Sequence, residues 1–434
     1  MPPPTVTIDV VKQFGSGNNT MSFGGIRAAT AEATDVLRSG RSATLFFGPG
    51  TFSIDMAGPL FNLTDMAAPE GGRFTIAGAG MLQTTLNLTT HGHDCIHSQH
   101  GTRGFTLRDI TFARPMLTTT QGTIVAADSK TVTLRLDGGY PAPDQLLVDR
   151  IPRLQSEQGL FIRRYRRADA GSAAEVVTPS SCVNSTCAVW PPTMNPQLHF
   201  TCGGDGERCP NISSPRPGVW KLHVASWSPV DSDAHELARY QSDAESSTVM
   251  VGVKIKHGGQ SYNIRDAHGV TFDSVRWLGH SRGILQNCDD VVLQHTRVDR
   301  SGGDEQALAT PGGGPQVAVC NNLTVFNHTA VGTGDDALGL FDIAAGSVRS
   351  CNIRDSFCRG ILLCNVSDEF AASVDDPESG NVVVRSPIYR PDPVSCSSIS
   401  ALPAHGLPIP RPPAPPPPPL PTGARPGMDP VLTR

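Results

Sequence analysis

The stretch Val270-Thr271-Phe272-Asp273-Ser274-Val275 decides the fold, because it returns along the chain. Val291-Val292-Leu293 follows, then Leu323-Thr324-Val325, then Val348-Arg349-Ser350-Cys351-Asn352-Ile353. The starts at 270, 291, 323 and 348 are 21, 32 and 25 residues apart. A turn-forming or polar residue precedes each one: Gly269, Asp290, Asn322 and Ser347. Short apolar strands recurring every twenty to thirty residues mark a solenoid. One turn of such a chain cannot bury its apolar face alone, so successive turns must stack.

Composition agrees with a coiled β architecture. Charged residues are 17% of the 434, below the ~25% of ordinary globular chains. Aromatic residues are only 6%, as a narrow interior filled by Val, Ile, Leu, Ala and Cys requires. Glycine at 44 and proline at 37 supply many corners. No apolar run reaches the ~18 residues of a membrane span. A net charge of -5 argues against a nucleic-acid partner.

Working outward, four segments are expected. Residues 1–115 form an N-terminal cap and the first coils. Ile26, Ala29, Thr30, Ala33, Val36 and Leu37 share one helical face, and Gly40 stops the helix. Short strands follow at Thr44–Phe47, Thr51–Ile54, Arg73–Ile76 and Phe105–Leu107. Residues 116–253 change style and read as an inserted small β domain, with longer strands such as Thr131–Leu136. It holds the basic run Arg163–Arg167 and the cluster Cys182, Cys187, Cys202 and Cys209, read as two local disulfides. Residues 254–396 carry the main coils. Residues 397–434 are a Pro-rich tail, with Pro415–Pro419 unbroken, expected to be extended or disordered.

Eleven Cys and eight Asn-x-Ser/Thr sequons point to an extracellular or cell-wall glycoprotein with disulfides. Met1-Pro2-Pro3-Pro4 opens no signal peptide, since no apolar stretch follows it.

The repeats also align polar residues. Matching the apolar pairs Ile284-Leu285, Ala307-Leu308, Ala337-Leu338 and Ile361-Leu362 puts Arg282, Glu305, Asp335 and Arg359 in one column. Gly283, Gln306, Asp336 and Gly360 form the next column. Adjacent coils lie about 4.8 Å apart, so Glu305 and Asp335 should approach to roughly 5 Å. Clustered carboxylates can split into one acid and one base, and flanking Arg groups suit an acidic sugar. The candidate catalytic set is Asp335, Asp336, Glu305, Arg359 and Arg282. His280, Lys254, Lys256, Asp304 and Gln306 are candidate substrate contacts.

Val11-Lys12-Gln13-Phe14-Gly15, a helix, Phe46-Phe47-Gly48-Pro49-Gly50-Thr51-Phe52 and Ile76-Ala77-Gly78-Ala79-Gly80 resemble the N-terminal cap and first coils of the pectate-lyase-like superfamily. The resemblance covers about residues 8–112 and 250–390. It implies a right-handed parallel β-helix acting on a polysaccharide. Gly334-Asp335-Asp336 also looks like the paired-Asp motif of polygalacturonases, which implies an Asp general acid and water activated by other carboxylates. The family's upstream Asn-Thr-Asp is absent, and the region Glu305–Leu308 stands in its place. The downstream Gly-His-Gly reads Cys358-Arg359-Gly360, and no Arg-Ile-Lys follows.

Three functions fit these residues. The first is a glycoside hydrolase without a cofactor. The second is a lyase or epimerase with Arg282 or Arg359 as base and Ca²⁺ held by Glu305, Asp335 and Asp336. The third is a non-catalytic carbohydrate-binding wall or adhesion protein. In each the partner is a polysaccharide and the chain is a monomer.

Overall fold

The computed structural model describes residues 2–15, 20–90, 93–114, 119–127, 131–142, 160–166, 175–176, 212–223, 247–253, 260–280, 282–301, 309, 313–334, 336–354, 356, 360–384 and 388–390. The Pro-rich segment, the four clustered cysteines and much of the insertion lie outside them. No helix among the described residues is long and apolar enough to cross a membrane.

The chain is a parallel β-helix. Ile8, Leu45, Ile76, Leu107, Phe272, Leu293, Val325 and Val348 are successive partners in parallel pairings. All eight are buried, so they form one apolar column along the stack. Ile264, Leu285, Val317, Leu340 and Leu363 make a second column. Phe112, Trp277, Val298, Ala330 and Ile353 make a third. Three inward columns describe a coil with three faces. Parallel strands joined by crossovers coil right-handedly.

The repeats at Val270, Val291 and Leu323 are in register as their sequence spacing predicts. The fourth differs. Leu323 pairs with Gly346, while Val348 pairs with Val325, two residues further on. Val348 is therefore an inward residue of its coil, and the strand begins at Gly346.

The bends between faces have a conformational cause. Asp109, Ser274, His295, Asn327 and Ser350 all take left-handed backbone with φ between 51° and 58°. Asp266, Asn287, Val319, Asp342 and Asn365 do so at a second bend. Short polar side chains tolerate this region best. They also bond along the stack. Asn322 Nδ2 donates to Asp290 Oδ1 at 2.7 Å, and Asn321 Nδ2 to Asp289 Oδ1 at 2.9 Å. Asn287 donates to Asp266, and Asn327 Nδ2 lies 2.9 Å from His295 Nδ1. Three sequon asparagines, Asn322, Asn327 and Asn365, thus occupy corners that favour Asn whether or not they carry glycan.

The helix expected over Ile26–Leu37 spans Phe23–Arg38. Ser22 caps it by accepting from the Gly25 amide at 2.9 Å, and Gly40 leaves it at φ 79°. Ile26, Ala29, Ala33, Val36 and Leu37 are buried in the main core. They cover the first coil, where Thr5–Asp9 pairs with Ser42–Phe47 and with no other described strand. Such an edge would otherwise invite pairing with another chain. A second helix, Asp368–Asp375, packs Phe370 and Val374 into the same core.

Leu107 pairs directly with Phe272 and Ala113 with Leu278, so the chain leaves the stack after Ala113 and returns by Tyr262. Strands of that excursion form a separate seven-stranded antiparallel sheet. Its order is Glu175–Val176, Leu160–Arg166, Ser247–Val253, Thr119–Ala127, Thr131–Leu136, Val219–His223 and Ile212–Arg216. The basic run Arg163–Arg167 falls largely on one of these strands.

Candidate functional site

In sequence, the candidate residues fall between strands that end and begin at one corner of the coil. In each turn the strand of the third column ends there and the strand of the second column begins. The turn ending at Ala113 resumes at Tyr262, and the one ending at Leu278 resumes at Gly283. Later turns end at Asp299, Val331 and Arg354, and resume at Pro315, Leu338 and Ile361. Lys254 and Lys256 belong to the first connection, and His280 and Arg282 to the second. Asp304, Glu305 and Gln306 belong to the third, Asp335 and Asp336 to the fourth, and Arg359 to the fifth. Lys254, Lys256, Asp304, Glu305, Gln306, Asp335 and Arg359 lie outside the described residues.

The register at this corner differs from the alignment of apolar pairs. Gly283 pairs with Pro315, Gln316 with Gly339, and Leu338 with Ile361. Gly283, Pro315, Leu338 and Ile361 are therefore level. Arg282 is level with Gly314, Ala337 and Gly360, and Asp336 stands one step before Ala337. The column placing Asp336 beside Gly283 and Gly360 is corrected accordingly. Ala307-Leu308 lies outside the described residues. The reason for the corrected level is physical: connections of unequal length enter strands whose inward residues alternate with period two, so a shift of one residue changes the face.

Asp336 is buried, 3% exposed, and its carbonyl accepts from the Gly314 amide at 2.9 Å. A Cβ at Gly314 would stand 2.0 Å from the Ala337 carbonyl oxygen, so only glycine allows the coils this approach. Arg282 is half-buried, and its Nη1 donates to Gln316 Oε1 at 3.1 Å on the next coil. This fixes one guanidinium at the corner. A more distant cationic group lies on the third face, where Arg276 and Arg297 both donate to Asp299 Oδ2, at 2.8 and 2.9 Å.

His280 points inward. It is 2% exposed, its ring stands edge-on to Trp277 at 5.4 Å, and Nδ1 lies 3.5 Å from Cys95 Sγ. Beside it lies a group that the sequence pattern does not single out. Arg114 is buried, with Nη2 donating to the His93 carbonyl at 2.6 Å and reaching Cys95 Sγ at 3.7 Å. Burial pushes the Cys95 thiol up to about 11, against the opposing pull of the Arg114 charge. The only sequence signal for Arg114 is its place at the end of the first coils, two residues before the insertion begins at Met116.

Among the described residues no group of three or more His, Cys, Asp or Glu is placed to hold a metal ion. The carboxylates invoked for Ca²⁺, apart from Asp336, are not among them.

No family model matches the chain, and no curated protein matches it by sequence. Several solved structures resemble it in fold. The exopolygalacturonase of Thermotoga maritima is 10% identical, over 90% of this chain and 68% of that one, with a TM-score of 0.33. The mannuronan C-5 epimerase AlgE4 A-module of Azotobacter vinelandii is 11% identical, over 82% and 74%, at 0.29. The AlgE6 A-module of the same organism is 13% identical, over 81% and 79%, at 0.23. The class of the molecule, a parallel β-helix of three faces with an N-terminal cap helix, rests on the strand register itself.

Proposed function

We propose that the chain is a polysaccharide-active enzyme, a glycoside hydrolase whose chemistry sits on the corner carrying Asp336. One observation supports this above the others: connections far apart in sequence leave the stack at one corner, where Asp336 and Arg282 stand. Asp335 or Asp336 is the acid in this reading, and Glu305 or the other Asp activates water. A water-activating pair needs about 6.5–9.5 Å between carboxyls, against about 5–5.5 Å for a pair that forms a covalent intermediate. Arg282, held by Gln316, and Arg359 bind the acidic groups of the sugar. The protein acts outside the cell or in the wall in this reading, as its sequons suggest.

The test is a panel of acidic and galactose-containing polysaccharides with wild type and Asp336→Asn. A hydrolase releases reducing ends without ultraviolet-absorbing unsaturated products, and loss of the acid lowers kcat by about 10²–10⁴-fold. Unsaturated products abolished by chelator would replace this reading with a Ca²⁺-dependent lyase. Sugar binding without any product would replace it with a non-catalytic binding protein.

A further inference from the structure

A cavity of about 10 Å³ is lined by Tyr262, Trp277, His280, Gly283, Gly313 and Gly314 among others. That is room for one group the size of a hydroxyl or a water. The Tyr262 phenol is buried, and its oxygen has no hydrogen-bond partner among the described residues. Its ring is held edge-on to Phe272 at 4.7 Å and tilted against Trp277 at 5.6 Å. A Cβ at Gly283 would stand 2.1 Å from Tyr262 Cζ, so this glycine is what lets the phenol reach the wall. A buried hydroxyl left unsatisfied is destabilising, and a fitting partner would offset that.

Gly313 and Gly314, which carry no side chains, also line the cavity. Gly314 is bonded to Asp336, so the cavity lies one coil, about 4.8 Å, from the Asp336 level. The remaining lining includes Ser261, Val298 and Pro315. A hydroxyl accepts the phenolic proton without bringing a charge into this buried space.

We propose that this cavity is a hydroxyl-binding subsite for the saccharide, with Tyr262 as donor, one coil from Asp336. The proposal rests on the polysaccharide reading above. A hydroxyl oxygen can come from solvent or from sugar, and the experiment separates the two.

Trp277 lines the same cavity, so its emission reports occupancy, and Trp277→Phe identifies its share of the signal. Wild type and Tyr262→Phe are titrated with D-galactose and with D-galacturonate, and turnover is followed on polygalacturonan and the polysaccharide panel. Saccharide shifts the Trp277 emission of wild type. Tyr262→Phe weakens apparent affinity by about 3- to 10-fold, the size of one hydrogen bond. It raises KM more than it lowers kcat, and its melting temperature is unchanged or higher. Equal affinity in the two proteins overturns the subsite and leaves the cavity to solvent, and an emission unmoved by either sugar overturns it too. Saccharide binding that Tyr262→Phe weakens, without turnover of any polysaccharide, retains the subsite and sinks the enzymatic reading.

Discussion

Gly314 donates its backbone N–H to the carbonyl of Asp336 at 2.9 Å, joining the third and fourth connections of the corner. The bond exists because nothing stands between the coils there. Gly314→Ala would place a methyl 2.0 Å from the Ala337 carbonyl, and backbone cannot move aside as a flexible side chain can. The expected cost is about 1–3 kcal/mol in stability, as for overpacking elsewhere. The displaced Asp336 should lower kcat by up to ~10²-fold. Thermal melting and steady-state kinetics on the same sample check both effects.

Val319 is the β-branched member of a column otherwise made of Asp266, Asn287, Asp342 and Asn365. It takes φ 54° and is 46% exposed. Left-handed backbone strains its side chain without any burial to compensate. Val319→Asn is expected to stabilise the protein by about 1 kcal/mol. The urea midpoint should rise with an unchanged slope. An unchanged midpoint would contradict the strain.

His328 lies inside the coil, buried, with Nδ1 2.8 Å from Thr296 Oγ1. Burial pushes its pKa down to about 4, against a smaller opposing pull from Asp299. The unfolded chain binds this proton below about 6.5, and the folded one only below about 4. Unfolding therefore takes up a proton in that window. Stability from this group is fully present above pH 6.5 and is lost as pH falls toward 4, by at most about 3 kcal/mol. Denaturant titrations at pH 7 and 4.5 measure the drop, which His328→Asn should reduce.

Cys95, Cys288, Cys320 and Cys351 are free thiols inside the coil. Burial pushes Cys95 and Cys351 up to about 11. Cys288 is raised well above its ordinary value by its in-register neighbour Cys320 and by burial. The thiolate is the reactive form, so Cys95, Cys288 and Cys351 should resist alkylation at pH 8 in the native protein, and burial shields Cys320. Peptide mapping should find them labelled only after unfolding. Native labelling of Cys351 would show that the coil opens locally.

The coil was legible where local pattern and tertiary partner coincide. Phe272, Leu293 and Val325 stand at the same point of similar apolar triplets, and they stack. Ile26 to Leu37 carries its own helical face and its own stop. The corner was not legible in the same way. Its connections differ in length, and Arg282, Asp336 and Arg359 have no local periodicity to set their level. Their alignment was borrowed from neighbouring apolar pairs, which the pleat places on different faces.

By itself, the sequence determined a stack of aliphatic coils, the helix over the first of them, and the chemical types gathered between strands. Those follow from side-chain periodicity and turn preference, which act over a few residues. Only the tertiary structure decided that Leu107 meets Phe272 across the insertion, that His280 turns inward to Cys95, and that Asp336 is level with Gly313. Those relationships are set by strand register between coils, where one residue of slip exchanges inside for outside.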